Sequence, residues 1–147
     1  MSEPGSASID ARAAPALVGA YPHARRVGEL LFLSGIGPRD PATDAVPGNL
    51  FDDHGRLVAH DIRAQTHAAM ANVRAVLEAS GARWDDLIDV TVYLTDMAGD
   101  FTAYNAVWAE YFPDAAKAPC RTTLGITALP TPIAIELKCV ATAPKEA

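Results

Sequence analysis

The spacing of apolar residues changes period along this chain, and that change restricts the folds the chain can adopt. One segment has apolar residues three or four positions apart between Asp61, a favoured N-cap residue, and Gly81, a favoured residue just after a helix. A second segment of helical spacing begins at Asp100, as its cap, and stops at Pro113. The other ordered segments are alternating or wholly apolar, which is typical of β-strands.

Five segments have the composition and spacing of strands: residues 24–27, 30–35, 88–95, 121–127 and 133–142. Gly28 and Glu29 separate the first two as the turn of a hairpin. Prolines and aspartates predict a loop over residues 38–53, followed by a small excursion around His54 and Gly55. The order β-β-α-β-α-β-β predicts a two-layer α+β domain, in which two α-helices cover one face of a mixed β-sheet.

The length and the N-terminal composition indicate how the chain is divided. A chain of 147 residues is the size of one domain. Residues 1–13 are rich in Ser, Pro and Ala, so we expect a flexible tail there and a single domain over residues 14–147. No apolar run approaches the roughly 20 residues of a membrane span, and no signal-peptide pattern is present. With only two cysteines, we expect a cytoplasmic protein without a disulfide framework.

The charge and the histidine spacing restrict the partners of the chain. The formal net charge is -6 and the pI is near 5.0, which disfavours non-specific binding to nucleic acid. The four histidines are scattered, and there is no Cys-x-x-Cys, His-Glu-x-x-His or glycine-rich phosphate loop. We therefore predict no metal and no cofactor, and no nucleic-acid or membrane partner.

The last predicted strand has two unlike sides. Ile133, Ile135, Leu137 and Cys139 fall on one side, and Ala134, Glu136, Lys138 and Val140 fall on the other. The strand at residues 30–33 is apolar on both sides. A small domain with one uncovered sheet face usually buries that face against another subunit, so the pattern predicts a homo-oligomer.

Two charged residues on predicted strands are candidates for chemistry. Arg121 begins a threonine-rich strand, where a guanidinium is costly to bury unless it meets an anion such as a carboxylate. Glu136 lies between Ile135 and Leu137, where a carboxylate is unusual unless it is paired or catalytic. Two interpretations of Arg121 remain open: an anchor for a substrate carboxylate, or an intrachain salt bridge, with Glu136 as a candidate partner. Glu136 is equally well explained as an outward-facing strand residue.

Other distinctive residues favour structural roles. Phe101, Tyr104, Trp108 and Tyr111 form an aromatic stripe on the second helix, which we interpret as core packing between helix and sheet in preference to a ligand platform. Cys120 lies beside Arg121, but no activating base is evident for a nucleophilic role. Cys139 is expected to pack as a small apolar group.

Four groups of short motifs are distinctive: Gly-Ala-Tyr-Pro at 19–22, Leu-Ser-Gly-Ile-Gly at 33–37, the helix end at 72–81, and the set Pro-Cys-Arg-Thr at 119–122, Ala-Leu-Pro at 128–130 and Ile-Glu-Leu at 135–137. Together they resemble the RidA (YjgF-type) family of small enamine/imine deaminases, over nearly the whole chain from Tyr21 to Ala143. The resemblance implies a chorismate-mutase-like fold. It also implies a homotrimer, alone or paired into hexamers, with the sheets forming a central barrel and the active sites in clefts between subunits.

The resemblance also implies roles for individual residues. Arg121 would bind the carboxylate of a small anionic substrate, and Glu136 would position water or transfer protons. Tyr21 and Gly35, with Ser34 before it, would line the substrate pocket. His23 stands where the family has a different residue, and we expect it to meet a second substrate carboxylate.

Residues 117–123 and 129–139 look most like the branch that includes 2-aminomuconate deaminases. This resemblance implies hydrolytic deamination of a 2-amino-dienoate, 2-aminomuconate to 4-oxalocrotonate (2-oxohex-3-enedioate) plus ammonia, in bacterial degradation of aromatic compounds. Two alternatives remain open: a general 2-aminoacrylate or 2-imino-acid deaminase, and a non-catalytic protein that binds small carboxylates. Thr123 at the position of the family's cysteine, and a longer segment at 48–60, distinguish this chain from the plainest family members.

Overall fold

The computed structural model describes residues 6–143. Its elements are β1 (Ser6–Ile9), β2 (Ala24–Val27), β3 (Leu30–Leu33), β4 (Leu50–Phe51), β5 (Leu57–Ala59), α1 (Ile62–Ala79), a 3-10 turn (Trp84–Asp86), β6 (Leu87–Leu94), α2 (Met97–Tyr111), β7 (Cys120–Gly125) and β8 (Ile135–Thr142). The predicted order β-β-α-β-α-β-β is present, with β1 and the β4–β5 hairpin in addition.

Six of the strands form one mixed sheet in the order β1-β2-β3-β8-β6-β7. Among the strands of residues 6–143, only β6 and β7 run parallel, and the other neighbours are antiparallel. Both helices pack on the same face, where Leu33, Val92 and Leu137 are buried beneath them. The predicted two-layer α+β fold is therefore confirmed. Neither helix within residues 6–143 is both long and apolar enough to cross a membrane.

The N-terminal segment differs from the flexible tail predicted for residues 1–13. From Ser6 to Ile9 the backbone pairs antiparallel with β2, and Ala11 is fully buried. This correction has a simple cause: the free edge of β2 supplies hydrogen-bond partners for the segment, and composition alone does not reveal such a partner. Residues 1–5 lie outside the described part of the chain.

The two helices begin at aspartate caps, one predicted correctly and one not. The Asp61 carboxylate accepts a hydrogen bond from the Ala64 amide at 3.0 Å, and α1 ends just before Gly81, whose φ is 74°. Helix α2 begins one turn earlier than predicted, because Asp96 caps it by accepting from the Gly99 amide at 3.1 Å. Asp100, the predicted cap, instead lies inside the first turn and is buried.

Residues 48–60 form a hairpin fixed to the rest of the domain. Asn49 donates from Nδ2 to the Pro132 carbonyl at 2.8 Å and accepts from Gln65 Nε2 at 3.1 Å. Gln65 is fully buried and also accepts from the Ala134 amide at 2.7 Å. The hairpin is therefore anchored beside the start of β8, and its apolar residues Leu50, Phe51, Leu57 and Val58 are exposed.

The second face of the sheet is uncovered by the helices, as the alternation of the last strand predicts. Ile135, Leu137 and Cys139 are buried under the helices, whereas Glu136 and Lys138 lie on the other face and are only partly buried. Leu30, Phe32 and Leu124 are exposed apolar residues, and Phe32 pairs with Val140 on the open face. This open face is the surface that the sequence predicts to be covered by another subunit.

Candidate active site

Glu136 occupies the open face near the beginning of β8, where the backbone after β3 passes close to it. Ile36 and Leu137 exchange backbone hydrogen bonds of 2.9 and 2.8 Å, which holds residues 34–36 alongside β8. A Cβ atom on Gly35 would lie 2.9 Å from Cδ of Glu136, closer than two carbon atoms can approach. The absence of a side chain at Gly35 is therefore what makes room for the carboxyl group.

The Glu136 carboxyl group is perturbed and has no partner in the described chain. Its partial burial disfavours the charged form and raises its pKa above the ordinary value of 4.5. No hydrogen bond or ion pair to this carboxyl group forms within residues 6–143. A carboxyl group of this kind is able to bond to water and to exchange a proton with it at a pH closer to neutral than an exposed glutamate.

A small cavity adjoins this position. It has a volume of about 40 Å³, and Tyr21, His23, Ser34 and Gly35 contribute to its lining. Glu136 does not line it, but lies against Gly35, which does. The volume holds only a few water molecules. A substrate with a carbon chain therefore needs space beyond the walls of a single subunit.

Two of the predicted pocket residues already have their polar atoms engaged. His23 is buried, accepts a hydrogen bond from the Ala11 amide at Nδ1 (3.1 Å) and donates from Nε2 to the Pro15 carbonyl (2.9 Å). Both ring nitrogens bind the backbone, so the expectation that His23 meets a substrate carboxylate is corrected to a structural role. Ser34 donates from its hydroxyl to the Pro22 carbonyl at 2.6 Å. Tyr21 is 41% exposed and is the more accessible of these residues.

Arg121 lies on the opposite face of the sheet from Glu136. In the parallel pairing of β7 with β6, Arg121 is opposite Val90, which is buried under the helices. The guanidinium donates from Nη1 to Asn105 Oδ1 at 2.8 Å. Its Cζ lies 5.4 Å from the Tyr104 ring centroid and 4.9 Å from that of Trp108. The alternative of a salt bridge to Glu136 is wrong, and no carboxylate within residues 6–143 pairs with Arg121.

The strand register shows how far apart the two charged groups are. Val90 pairs with Arg121 on one side and with Cys139 on the other, so Arg121 is two strands and three residues from Glu136. Strand spacing and rise per residue give about 14 Å between the two Cα atoms. The side chains also point to opposite faces. One small substrate therefore cannot contact both groups within one chain.

The structure gives Tyr104 and Trp108 a contact that the sequence does not predict. Tyr104 and Trp108 were interpreted as core, and both are buried, but each also contacts Arg121. Asn105 has no sequence signal for this role, because its hydrogen bond joins it to a residue 16 positions away through the packing of α2. Cys139 is buried as predicted, and burial raises the pKa of its thiol to about 12. Cys120 is exposed. No group of three potential metal-ligating side chains converges within residues 6–143.

Comparison with known proteins gives consistent matches along the chain. The protein-family model described as Endoribonuclease L-PSP matches residues 11–143. A RutC family protein of Pyrococcus horikoshii is 38% identical over 128 residues, which are 87% of this chain and 90% of that protein. The 2-iminobutanoate/2-iminopropanoate deaminase of Salmonella typhimurium is 31% identical over 137 residues, 92% of this chain and 97% of the relative. The crystal structure of the YjgF gene product from E. coli superposes with a TM-score of 0.79 at 29% identity, covering 93% and 98% of the two chains.

The fold and the site together define a class of small α+β domains, in which a mixed sheet carries a glycine-backed glutamate on its open face and an arginine beneath a helix. The chain belongs to the Endoribonuclease L-PSP family, which is the RidA/YjgF family that its motifs resemble.

Proposed function

We propose that the protein is a cytoplasmic hydrolytic deaminase of 2-imino and 2-enamino acids that needs no metal or organic cofactor. The observation that supports this most directly is the Glu136 carboxyl group, which has no partner in the described chain, has a raised pKa and lies against Gly35. The name of the Salmonella typhimurium relative, a 2-iminobutanoate/2-iminopropanoate deaminase, indicates the same class of reaction.

The reaction needs only groups of this kind. Protonation of an enamine at carbon gives an imine, and water then adds to the imine carbon. Glu136 accepts a proton from that water and passes it to nitrogen. The C–N bond then breaks with its electron pair on nitrogen, so that ammonia leaves, and the hydroxyl group loses its proton to Glu136 as the C=O bond of the 2-oxo acid forms. A general base of this type typically contributes about 10²- to 10⁴-fold to the rate.

Arg121 is proposed to bind the substrate carboxylate next to the reacting carbon. A guanidinium suits this role because it bonds a carboxylate through two parallel N–H groups, and Arg121 has no carboxylate partner in the described chain. Because Arg121 and Glu136 lie about 14 Å apart on opposite faces, a shared site requires Arg121 from one subunit and Glu136 from a neighbour. We therefore propose a homotrimer in which the open sheet faces form the central barrel and the sites lie between subunits.

Within this class we propose 2-aminomuconate as the preferred substrate. The support is the resemblance of residues 117–123 and 129–139 to the 2-aminomuconate deaminase branch. The relative from Salmonella typhimurium is named for shorter 2-imino acids, which is the competing assignment. The family description names an endoribonuclease, but the chain has a net charge of -6, and we expect no RNA cleavage.

The decisive experiment measures ammonia release by the purified protein from 2-aminomuconate and from 2-iminopropanoate and 2-iminobutanoate generated in the assay. Turnover of any of them that is lost in Glu136→Gln and greatly weakened at low substrate in Arg121→Ala supports the deaminase. A higher kcat/KM for 2-aminomuconate supports the finer assignment, and a higher value for the short imino acids overturns it. Carboxylate binding without ammonia release from any substrate would instead indicate a non-catalytic binding protein.

A further inference from the structure

Three residues of one helix surround the guanidinium of Arg121. Tyr104, Asn105 and Trp108 lie on consecutive turns of α2, and we refer to them together as the Arg121 cradle. Asn105 accepts a hydrogen bond from Nη1 at 2.8 Å, while the rings of Tyr104 and Trp108 lie 5.4 and 4.9 Å from Cζ. All three partners are neutral. The cradle thus restricts the guanidinium without neutralising its charge, which a carboxylate partner would do.

Further contacts with β7 and with the end of α2 hold the rings of the Arg121 cradle in place. Tyr104 is fully buried, and its hydroxyl group shares a hydrogen bond of 3.0 Å with Thr123, two residues beyond Arg121 on the same strand face. Trp108 packs on Phe112 with ring centroids 4.4 Å apart. The burial of Tyr104 also raises the pKa of its hydroxyl, an effect opposed by Thr123 and by the charge of Arg121. The rings therefore have fixed orientations before any ligand arrives.

We propose that Tyr104 and Trp108 are positioning residues that pre-organise Arg121 for the carboxylate of the substrate. An unrestrained arginine loses side-chain entropy when a ligand orders it, whereas one already ordered by cation–π contacts loses less on binding. This inference rests on the proposed role of Arg121. It adds that the Tyr104 and Trp108 rings set carboxylate affinity, and that Thr123 supports the cradle through the Tyr104 hydroxyl.

The chain contains a matched control. It has two tryptophans, and the second, Trp84, also lies beneath an arginine, with Arg74 Cζ 4.9 Å from its ring centroid. Trp84 stacks on the same Phe112, with centroids 5.3 Å apart. Trp84→Leu therefore removes a comparable ring and cation–π contact while leaving every direct contact of Arg121 with Tyr104, Asn105 and Trp108 in place. A general loss of aromatic packing would change Kd in both Trp84→Leu and Trp108→Leu. Loss of the Arg121 position would raise Kd in Trp108→Leu alone.

The test compares Trp108→Phe, Trp108→Leu and Trp84→Leu with the wild-type protein in two measurements. Calorimetry measures the Kd of 2-oxobutanoate, used as an unreactive 2-oxo carboxylate, and kinetics measure KM and kcat for the best substrate. We expect Trp108→Leu to raise Kd and KM roughly 2- to 30-fold with little change in kcat, since the contact acts equally in the ground and transition states. Trp108→Phe should be intermediate, and Trp84→Leu should leave Kd and KM unchanged.

The outcomes separate this inference from the proposed function. If wild type binds 2-oxobutanoate through Arg121 but releases no ammonia, the deaminase proposal fails and the affinity order still tests the cradle. The cradle proposal is overturned if Trp108→Leu and Trp84→Leu have equal Kd values, or if wild type does not bind the carboxylate. Should Trp108→Leu not fold, Trp108→Phe and Tyr104→Phe replace it, the latter removing only the hydroxyl group that bonds Thr123. Unchanged Kd values in both would equally overturn the proposal.

Discussion

At the scale of single residues, the candidate site is organised by what surrounds each charged group. Glu136 owes its raised pKa to burial and its position to the missing side chain of Gly35. Arg121 has neutral partners on α2 in place of a carboxylate. Glu136 is thus able to bond to water, and Arg121 is able to bond to a substrate carboxylate.

Glu136→Gln should abolish the acid limb of the pH–rate profile and lower kcat by about 10²- to 10⁴-fold. In the wild type we expect that limb above pH 4.5, because a base with a raised pKa is protonated, and inactive, at a higher pH than an ordinary glutamate. The measurement is kcat/KM against pH for both proteins. If the acid limb of the Glu136→Gln profile is the same as in the wild type, another group is the base.

The same substitution should affect stability in a pH-dependent way. A carboxyl group whose pKa is raised by folding destabilises the folded protein when it is charged, so the penalty is absent below the unfolded value and complete above the folded one. Glu136→Gln should therefore have a higher Tm than wild type at pH 7 and an equal Tm at pH 4. Thermal unfolding at both pH values and one protein concentration checks this expectation.

Gly35→Ala should reduce kcat, because the new Cβ would lie 2.9 Å from Cδ of Glu136 and must displace the carboxyl group. Gly37→Ala is the matched control, since its Cβ would press instead on Cδ1 of Ile133 at 2.7 Å. Both variants should lose stability, and Gly35→Ala should lose more activity. Steady-state kinetics together with thermal unfolding separate the two effects, and equal activities in the two variants would contradict the assignment.

At the scale of elements, contacts far apart in sequence position the helices over the sheet. His60, just before α1, places Nε2 2.7 Å from Oδ2 of Asp100, which is buried in the first turn of α2. Asn49 and Gln65 link the β4–β5 hairpin, α1 and the segment before β8. The His60–Asp100 contact fixes the start of α2, the helix that contacts Arg121.

Removing the histidine alone should be more costly than removing the pair. His60→Ala leaves Asp100 buried without its partner, and we expect it to lower the free energy of unfolding by about 3 to 5 kcal/mol. The double variant His60→Leu with Asp100→Leu should recover much of that loss. His67→Ala is the control, because His67 lies 3.7 Å from Glu110 in an exposed pair and should cost about 1 kcal/mol or less. Denaturant unfolding at one protein concentration measures all three.

At the scale of the whole molecule, the sheet separates the two charged groups that the proposed chemistry requires together. The helices cover one face, and the other face presents Leu30, Phe32 and Leu124 to its surroundings. A site between subunits explains both the separation of the charged groups and the exposed apolar face. Burying the open face against a neighbouring chain brings Glu136 close to that chain. The proposed mechanism and the exposed apolar surface therefore both call for a neighbouring subunit, which the proposed trimer provides.

Mixed oligomers provide a direct test of that arrangement. Arg121→Ala and Glu136→Gln subunits, each strongly impaired alone at low substrate, should regain activity when co-assembled, because some interfaces combine an intact Arg121 with an intact Glu136. Random assembly from equal amounts gives about a quarter of sites intact in a cyclic oligomer. Co-expression with two affinity tags and ammonia release measures the recovery. No recovery in verified mixed oligomers would place both residues in one subunit's site, and an Arg121→Ala chain mixed with the double variant is the negative control.

Much of the architecture follows from local pattern. The alternation of β8 predicts which face carries Glu136, and the Asp61 and Gly81 signals predict the limits of α1, because capping and periodicity act within a few residues. The start of α2 was misplaced by one turn because two aspartates four positions apart, Asp96 and Asp100, both fit the cap pattern. The β1 strand was missed because its support comes from β2, not from its own composition.

By itself, the sequence determined the α+β class, the order of the central elements and the family, since these depend on local periodicity and on motifs that can be compared directly. Only the tertiary structure decided which face Arg121 occupies, because Cys-Arg-Thr-Thr-Leu-Gly in β7 has too little contrast between polar and apolar positions to set its register. It also decided that Gly35 makes room for Glu136, a contact between residues about 100 positions apart. The distance between the two charged groups depends on strand pairing, and strand pairing is not a local property.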